Sequence, residues 1–165
     1  MRLEVYLNAR GERRFAGLLD ILFEYDKRFL DSGIELSPFL LPLRPGVASD
    51  PKRTFDGLFG VFNDSLPDGW GLLLLARLLR RSGLPLERIT PLSRLSLVGS
   101  GGMGALEYEP VTPDPDPLPE RIDLDGVAEE AWRTLNEDPL PVETLRTLMA
   151  LNGSSCGARP KIMVR

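Results

Sequence analysis

The sequence predicts an α+β fold, a small antiparallel sheet or partial barrel with helices packed on it. Three observations predict it. Apolar and polar residues alternate along Arg2–Leu7, which is the period of a half-buried strand. Stretches beginning near Ser65, Thr90, Asp125 and Pro141 carry apolar residues at helical spacing. Between the second and third of these, Val111–Pro119 alternates proline with other residues, the mark of an extended, semi-rigid linker.

Taken in order, the first strand places Leu3, Val5 and Leu7 on one face and Arg2, Glu4 and Tyr6 on the other. Asn8-Ala9-Arg10-Gly11 reads as a turn. A second strand is expected within Arg14–Phe23, near Phe15-Ala16-Gly17-Leu18-Leu19. Ile21–Phe29 fits a third strand or a helix, and its pattern allows both. Leu30–Phe55 contains Pro38, Pro42, Pro45 and Pro51. Proline lacks an N–H and fixes φ, so this density excludes a central strand or a long helix.

The clearest helix signal opens at Asn63-Asp64-Ser65-Leu66-Pro67-Asp68. Ser65 is expected to cap it, with Pro67 in the first turn and Asp68 three residues after the cap. Trp70, Leu73, Leu74 and Leu78 are expected to face inward. Arg77, Arg80 and Arg81 suit the negative end of the helix dipole, and Gly83 is expected to close it. Thr90 and Pro91 start a short helix reaching Leu97. Gly99–Gly104 forms a turn into a strand at Ala105–Glu109. After the linker, Asp125–Asn136 is expected to be a helix with Val127, Ala128, Trp132 and Leu135 inward. Pro141–Leu151 is expected to be another, with Val142, Leu145, Leu148 and Met149 inward and Gly153 as its cap. The expected organisation is a 1–109 segment of sheet plus helices, a 110–120 linker, and a helical 121–165 segment that leads into a small-residue turn.

Composition removes several function classes. The 165 residues are 42% hydrophobic and 27% charged, with a net charge of −4. No overall basic field draws the chain to nucleic acid or to anionic lipid. The longest apolar run, Leu72–Ala76, is too short to span a bilayer, and MRLEVYLNAR has no signal-peptide core. The single cysteine, Cys156, excludes an internal disulfide framework and fits a reducing compartment, so a cytoplasmic location is expected. The absence of histidine removes imidazole metal ligands, a Ser–His–Asp triad and a Cys–His pair. No carboxylate pair stands out among 24 acidic residues.

Four stretches invite a functional reading. Gly99-Ser100-Gly101-Gly102-Met103-Gly104 matches a dinucleotide-type glycine spacing, but it runs from a helix into a strand, whereas the phosphate-binding fingerprint runs from a strand into a helix. A plain connector is the simpler reading. Asn63–Trp70 could supply carboxylates, although capping already accounts for Ser65 and Asp68. Arg77, Arg80, Arg81, Arg88 and Arg94 could form a basic patch for an acidic partner, with a solvated helix face as the simpler reading. The fourth is the tail, Asn152-Gly153-Ser154-Ser155-Cys156-Gly157-Ala158-Arg159-Pro160-Lys161, which leads into Ile162-Met163-Val164. Small residues allow close backbone approach, and exposed N–H groups of such a turn can cradle phosphate oxygens beside Arg159 and Lys161.

The order of several segments resembles the N-terminal part of the HipA family, serine/threonine-kinase toxins of bacterial toxin–antitoxin systems. The resemblance rests on Val5-Tyr6-Leu7-Asn8, on Phe23-Glu24-Tyr25-Asp26 with Leu36-Ser37-Pro38 and Leu41-Pro42-Leu43, and on Phe55-Asp56-Gly57-Leu58-Phe59 running to Asp64-Ser65-Leu66-Pro67-Asp68-Gly69-Trp70. Leu97-Val98-Gly99, Met103-Gly104-Ala105-Leu106 and Gly153–Lys161 complete it. It implies the N-terminal lobe of a kinase-like fold that uses ATP and Mg²⁺. It implies nucleotide contacts along Cys156, Gly157, Ala158, Arg159, Pro160 and Lys161. Ser154, or Ser155 beside it, would be a self-phosphorylated serine whose added charge of about −2 repels ATP phosphates from the loop. The resemblance further implies a HipB-like antitoxin, a C-terminal kinase lobe, and a protein substrate of the aminoacyl-tRNA synthetase kind. None of the catalytic lysine, base aspartate and Mg²⁺ ligands a kinase needs can be assigned within these residues, which implies a shortened chain that is inactive alone. The alternative is a stand-alone N-terminal module that neutralises a separate kinase.

Overall fold

The structure is a computed structural model that describes residues 2–81, 83, 89–102, 104–111, 124–136 and 140–152. Strands β1 (Leu3–Ala9), β2 (Glu12–Asp20) and β3 (Leu22–Tyr25) are followed by a single turn of helix, α1 (Lys27–Leu30), and by the short strand β4 (Val47–Ser49). Helices α2 (Gly60–Asn63), α3 (Gly69–Arg81) and α4 (Pro91–Val98) come next, then strand β5 (Leu106–Glu109) and helices α5 (Leu124–Leu135) and α6 (Val142–Asn152). The strands form one open antiparallel sheet in the order β4-β3-β2-β1-β5. The expected α+β class is met, and the sheet stays open rather than closing into a barrel.

Contacts divide the chain into two compact units that are not continuous in sequence. The first comprises Met1–Leu66 and Thr90–Pro113, and the second Pro67–Ile89 and Asp114–Arg165. Helix α3, which linear order places inside the 1–109 segment, therefore belongs with α5 and α6.

In the first unit the alternation of β1 puts Leu3 and Val5 into the core at 0% exposure, while Glu4 and Asn8 face solvent. The register sets Leu3 opposite Leu19 and Val5 opposite Gly17 and Tyr108. Phe23 packs edge-on against Tyr25, with ring centroids 4.9 Å apart, and lies the same distance from Phe62. Ile21–Phe29 satisfies both of its readings in turn. Leu22–Tyr25 is a strand, and Asp26 then caps α1 by accepting from the Arg28 N–H at 2.8 Å. Thr90 caps α4 as expected, accepting from the Ser93 N–H at 3.1 Å. The proline-rich segment holds only the three-residue edge strand β4, consistent with the exclusion of a central strand.

In the second unit Trp70 and Leu74 from α3, Ala131 from α5, and Leu145 and Leu148 from α6 form a separate core, closed by Leu140. Gly83 ends α3 as expected, with φ +73° and its N–H on the Arg80 carbonyl at 3.0 Å. Helix α6 buries Leu145 and Leu148 as expected. Helix α5 corrects the expectation. Trp132 is 64% exposed and Ala128 is also exposed, while Val127, Ala131 and Thr134 turn inward. Val127 meets the expectation, Ala128 and Trp132 do not, and the side chain of Leu135 lies outside the described residues. Thr134 tolerates complete burial because its hydroxyl donates to the Glu130 carbonyl at 2.8 Å. Among the described residues no helix is long and apolar enough to cross a membrane. The 110–120 linker lies outside the described residues except at its first two positions.

Candidate functional site

The expected Ser65 cap is not formed. Residues 60–63 make the separate turn α2, Asp64 ends it, and α3 starts only at Gly69, where the Asp68 carbonyl accepts the Leu72 N–H at 3.3 Å. Pro67 explains the restart, since the residue before a proline is pushed out of the helical region. Ser65 is instead buried, and its Oγ accepts a 2.7 Å hydrogen bond from the Tyr108 hydroxyl. Burial raises the Tyr108 phenol well above its ordinary range, with the bond to Ser65 opposing the shift and the nearby Asp64 adding to it. Tyr108 is thus a fixed donor that pins the Ser65-Leu66 turn to β5. A second tie lies close by, where the Ser96 hydroxyl donates to the Pro110 carbonyl at 2.6 Å.

The glycine stretch 99–104 is a connector. Gly99 closes α4 at φ +54° with its N–H on the Leu95 carbonyl, and the Gly101 N–H bonds the Val98 carbonyl. A Cβ on Gly99 would lie 2.7 Å from Val111 Cγ2, so glycine is required there by packing as well as by conformation. The arginines called as a possible patch divide between the two units. Arg94 lies on α4 in the first unit, with a guanidinium nitrogen 3.8 Å from Asp56 Oδ2. Arg77, Arg80 and Arg81 share α3 in the second unit. Arg88 is outside the described residues. So are Ser154, Ser155, Cys156, Gly157, Ala158, Arg159, Pro160 and Lys161.

One polar cluster has no counterpart in the sequence reading. On the solvent face of the sheet, Arg13 Nε donates to Glu107 Oε2 and its Nη2 donates to Glu109 Oε1, both at 2.6 Å. The guanidinium carbon lies 3.6 Å from the centre of the Tyr6 ring, within cation–π range. Asn8 Nδ2 donates to the other Glu107 oxygen at 2.8 Å. Burial pushes the Glu107 carboxyl upward, but the bonds from Asn8 and Arg13 outweigh it and hold the group below its ordinary value. A carboxylate so stabilised is a poor general base, and the cluster ties β1, β2 and β5 together.

A pH dependence follows. The folded pKa of Glu107 is depressed, so its contribution is present above the unfolded value and is lost as pH falls through the folded one. Arg13 is 40% exposed, and solvent screening limits the pair. A Glu107→Gln variant is expected to be about 1 kcal/mol less stable than the parent at neutral pH. The gap narrows as the pH falls below the usual carboxylate range, about 4, and closes below the lower folded value. Urea titrations at the two pH values measure it, and a gap of the same size in acid would show that ion pairing is not its source.

An open cleft of about 650 Å³ lies between β2 and α1. Arg14, Arg28, Asp26 and Asp31 line it with Phe15 and Phe29, so its formal charges cancel. Asp26 already serves as the α1 cap, and Arg14 pairs with Glu12. Among the described residues no group of three acidic, histidine or cysteine side chains has metal-binding geometry. No glycine-rich turn there leads from a strand into a helix. The hydrogen bonds and ion pairs of the described residues join strands and turns to one another.

The family model described as HipA N-terminal domain matches residues 5–109. The match begins within β1 and ends on the last residue of β5, so it spans the sheet from its third residue onward. No curated protein and no solved structure matches the chain.

Proposed function

The chain belongs to the HipA N-terminal domain family, and from that premise we propose that it is the N-terminal lobe of a HipA-type serine/threonine protein kinase toxin. The observation that carries the reading is the match over 105 residues from 5 to 109. The character of the described residues supports it. The first unit presents pinned turns and a satisfied ion-pair cluster, which are features of a platform. In this proposal the catalytic lysine, base and Mg²⁺ ligands belong to a helical lobe outside these residues. Cys156–Lys161 would lie over the ATP phosphates, Ser154 would be the self-phosphorylated serine, and a HipB-like antitoxin would be the partner. A protein substrate of the aminoacyl-tRNA synthetase kind completes it, in a cytoplasmic setting.

A second reading is a separate module that neutralises a HipA-type kinase, and the family match over residues 5–109 fits it equally. One experiment separates the two. The 165-residue chain is mixed with radiolabelled ATP, first alone, then with a HipA-type helical lobe, then with an intact HipA-type kinase. The lobe reading expects no transfer by the chain alone and restored self-phosphorylation with the helical lobe, abolished by Ser154→Ala and retained in Ser155→Ala. The module reading expects inhibition of the intact kinase. Appreciable transfer by the chain alone would sink both.

A further inference from the structure

Helix α3 changes character along its length. Trp70 and Leu74 lie on one stripe and enter the core of the second unit. The next positions of that stripe, seven residues further on, are Arg77 and Arg81, with Arg80 beside them. The helix contains no acidic residue. Arginines three and four apart repel one another across the helix surface. None of the three makes an ion pair among the described residues. Arg77 Nε has no hydrogen-bond partner among the described residues. Placement near the helix C-terminus favours Arg80 and Arg81 through the dipole, but it does not account for Arg77, one turn earlier.

We propose that the Arg77–Arg80–Arg81 face of α3 is a docking surface for an acidic segment of a partner protein. Charge complementarity carries the assignment of the occupant. Guanidinium forks match carboxylates in bidentate geometry, and three of them within about one helical turn suit two or three carboxylates of a short segment. A nucleic acid fits less well, because the chain as a whole carries −4 and three phosphate contacts give weak, salt-sensitive binding. The proposal does not depend on the kinase reading.

The test is fluorescence anisotropy of the 165-residue chain with a labelled octapeptide of alternating aspartate and glutamate, at low salt. The expected result is saturable binding that weakens about tenfold in an Arg77→Gln/Arg81→Gln variant. It is unchanged in Arg44→Gln/Lys52→Gln, which removes the same charge from exposed positions of the other unit. Should the first variant fail to fold by circular dichroism, Arg80→Gln/Arg81→Gln, at two exposed positions, replaces it with the same expectation. No binding, or an equal loss in the Arg44/Lys52 variant, overturns the proposal. So does tighter binding of a labelled single-stranded DNA 20-mer through the same arginines, which would assign the face to nucleic acid.

Discussion

Gly17→Ala is expected to destabilise the first unit by about 3 kcal/mol. Gly17 sits in β2 opposite Val5 and Tyr25, next to the bulge where the β1–β2 register shifts. A Cβ there would lie 2.1 Å from the carbonyl oxygen of Glu24 and 3.0 Å from Phe23 Cζ. The first obstruction is backbone in the neighbouring strand, so it cannot rotate away as a side chain would. Relief would require β3 to separate from β2, which breaks the ladder from Gly17↔Tyr25 to Asp20↔Leu22 and disturbs the buried Phe23 and Tyr25. The three tyrosines, Tyr6, Tyr25 and Tyr108, all lie in this unit. Near-ultraviolet circular dichroism in the tyrosine band, followed through a denaturant titration, therefore reports on it directly. A midpoint within 1 kcal/mol of the parent would mean that the strands do not approach this closely.

The second large effect is expected in the other unit. Trp70→Ala removes a side chain that is 2% exposed from a core otherwise built of leucines and one alanine. Truncating a buried tryptophan costs about 3–5 kcal/mol, the lost transfer energy plus the cavity left behind. Both tryptophans of the chain, Trp70 and Trp132, belong to this unit. Their environments differ, since Trp132 is 64% exposed. Parent emission should contain a blue, buried component from Trp70 and a red, exposed one from Trp132. The variant should keep only the red component and lose helical signal at much lower denaturant. A loss below about 1 kcal/mol would place Trp70 outside the core.

Much of the secondary structure was legible because its signals are local. Alternation in Arg2–Leu7, the Thr90 cap and the Gly83 stop each act within a turn or a strand of their own residues. Ser65 shows where local reading fails. Its capping pattern is genuine, but Pro67 delays the helix and a hydroxyl 43 positions away takes up the serine. Helix α5 shows a different failure. Val127 turns inward as expected, but Ala131 and Thr134 are buried where Ala128 and Trp132 were expected. Thr134 bonds the carbonyl of its own helix and so can be buried, a polar residue that a count of apolar positions passes over. The candidate site was legible only in part. The arginines of α3 were visible as a run, but their assignment to a different unit from Arg94 was not. The Arg13 cluster joins residues 94 and 96 positions apart and leaves no trace in spacing.

By itself the sequence determined the α+β class, the strand and helix types, and, through the order of its segments, the family. These depend on backbone hydrogen bonding and side-chain period, which neighbouring residues set. Only the tertiary structure decided that α3 leaves its sequence neighbours to share a core with α5 and α6, that Ser65 belongs to Tyr108, and that three arginines of α3 make no ion pair among the described residues. Those outcomes depend on which apolar surfaces meet and which polar groups are left to satisfy one another, a competition over the folded chain that no local pattern encodes.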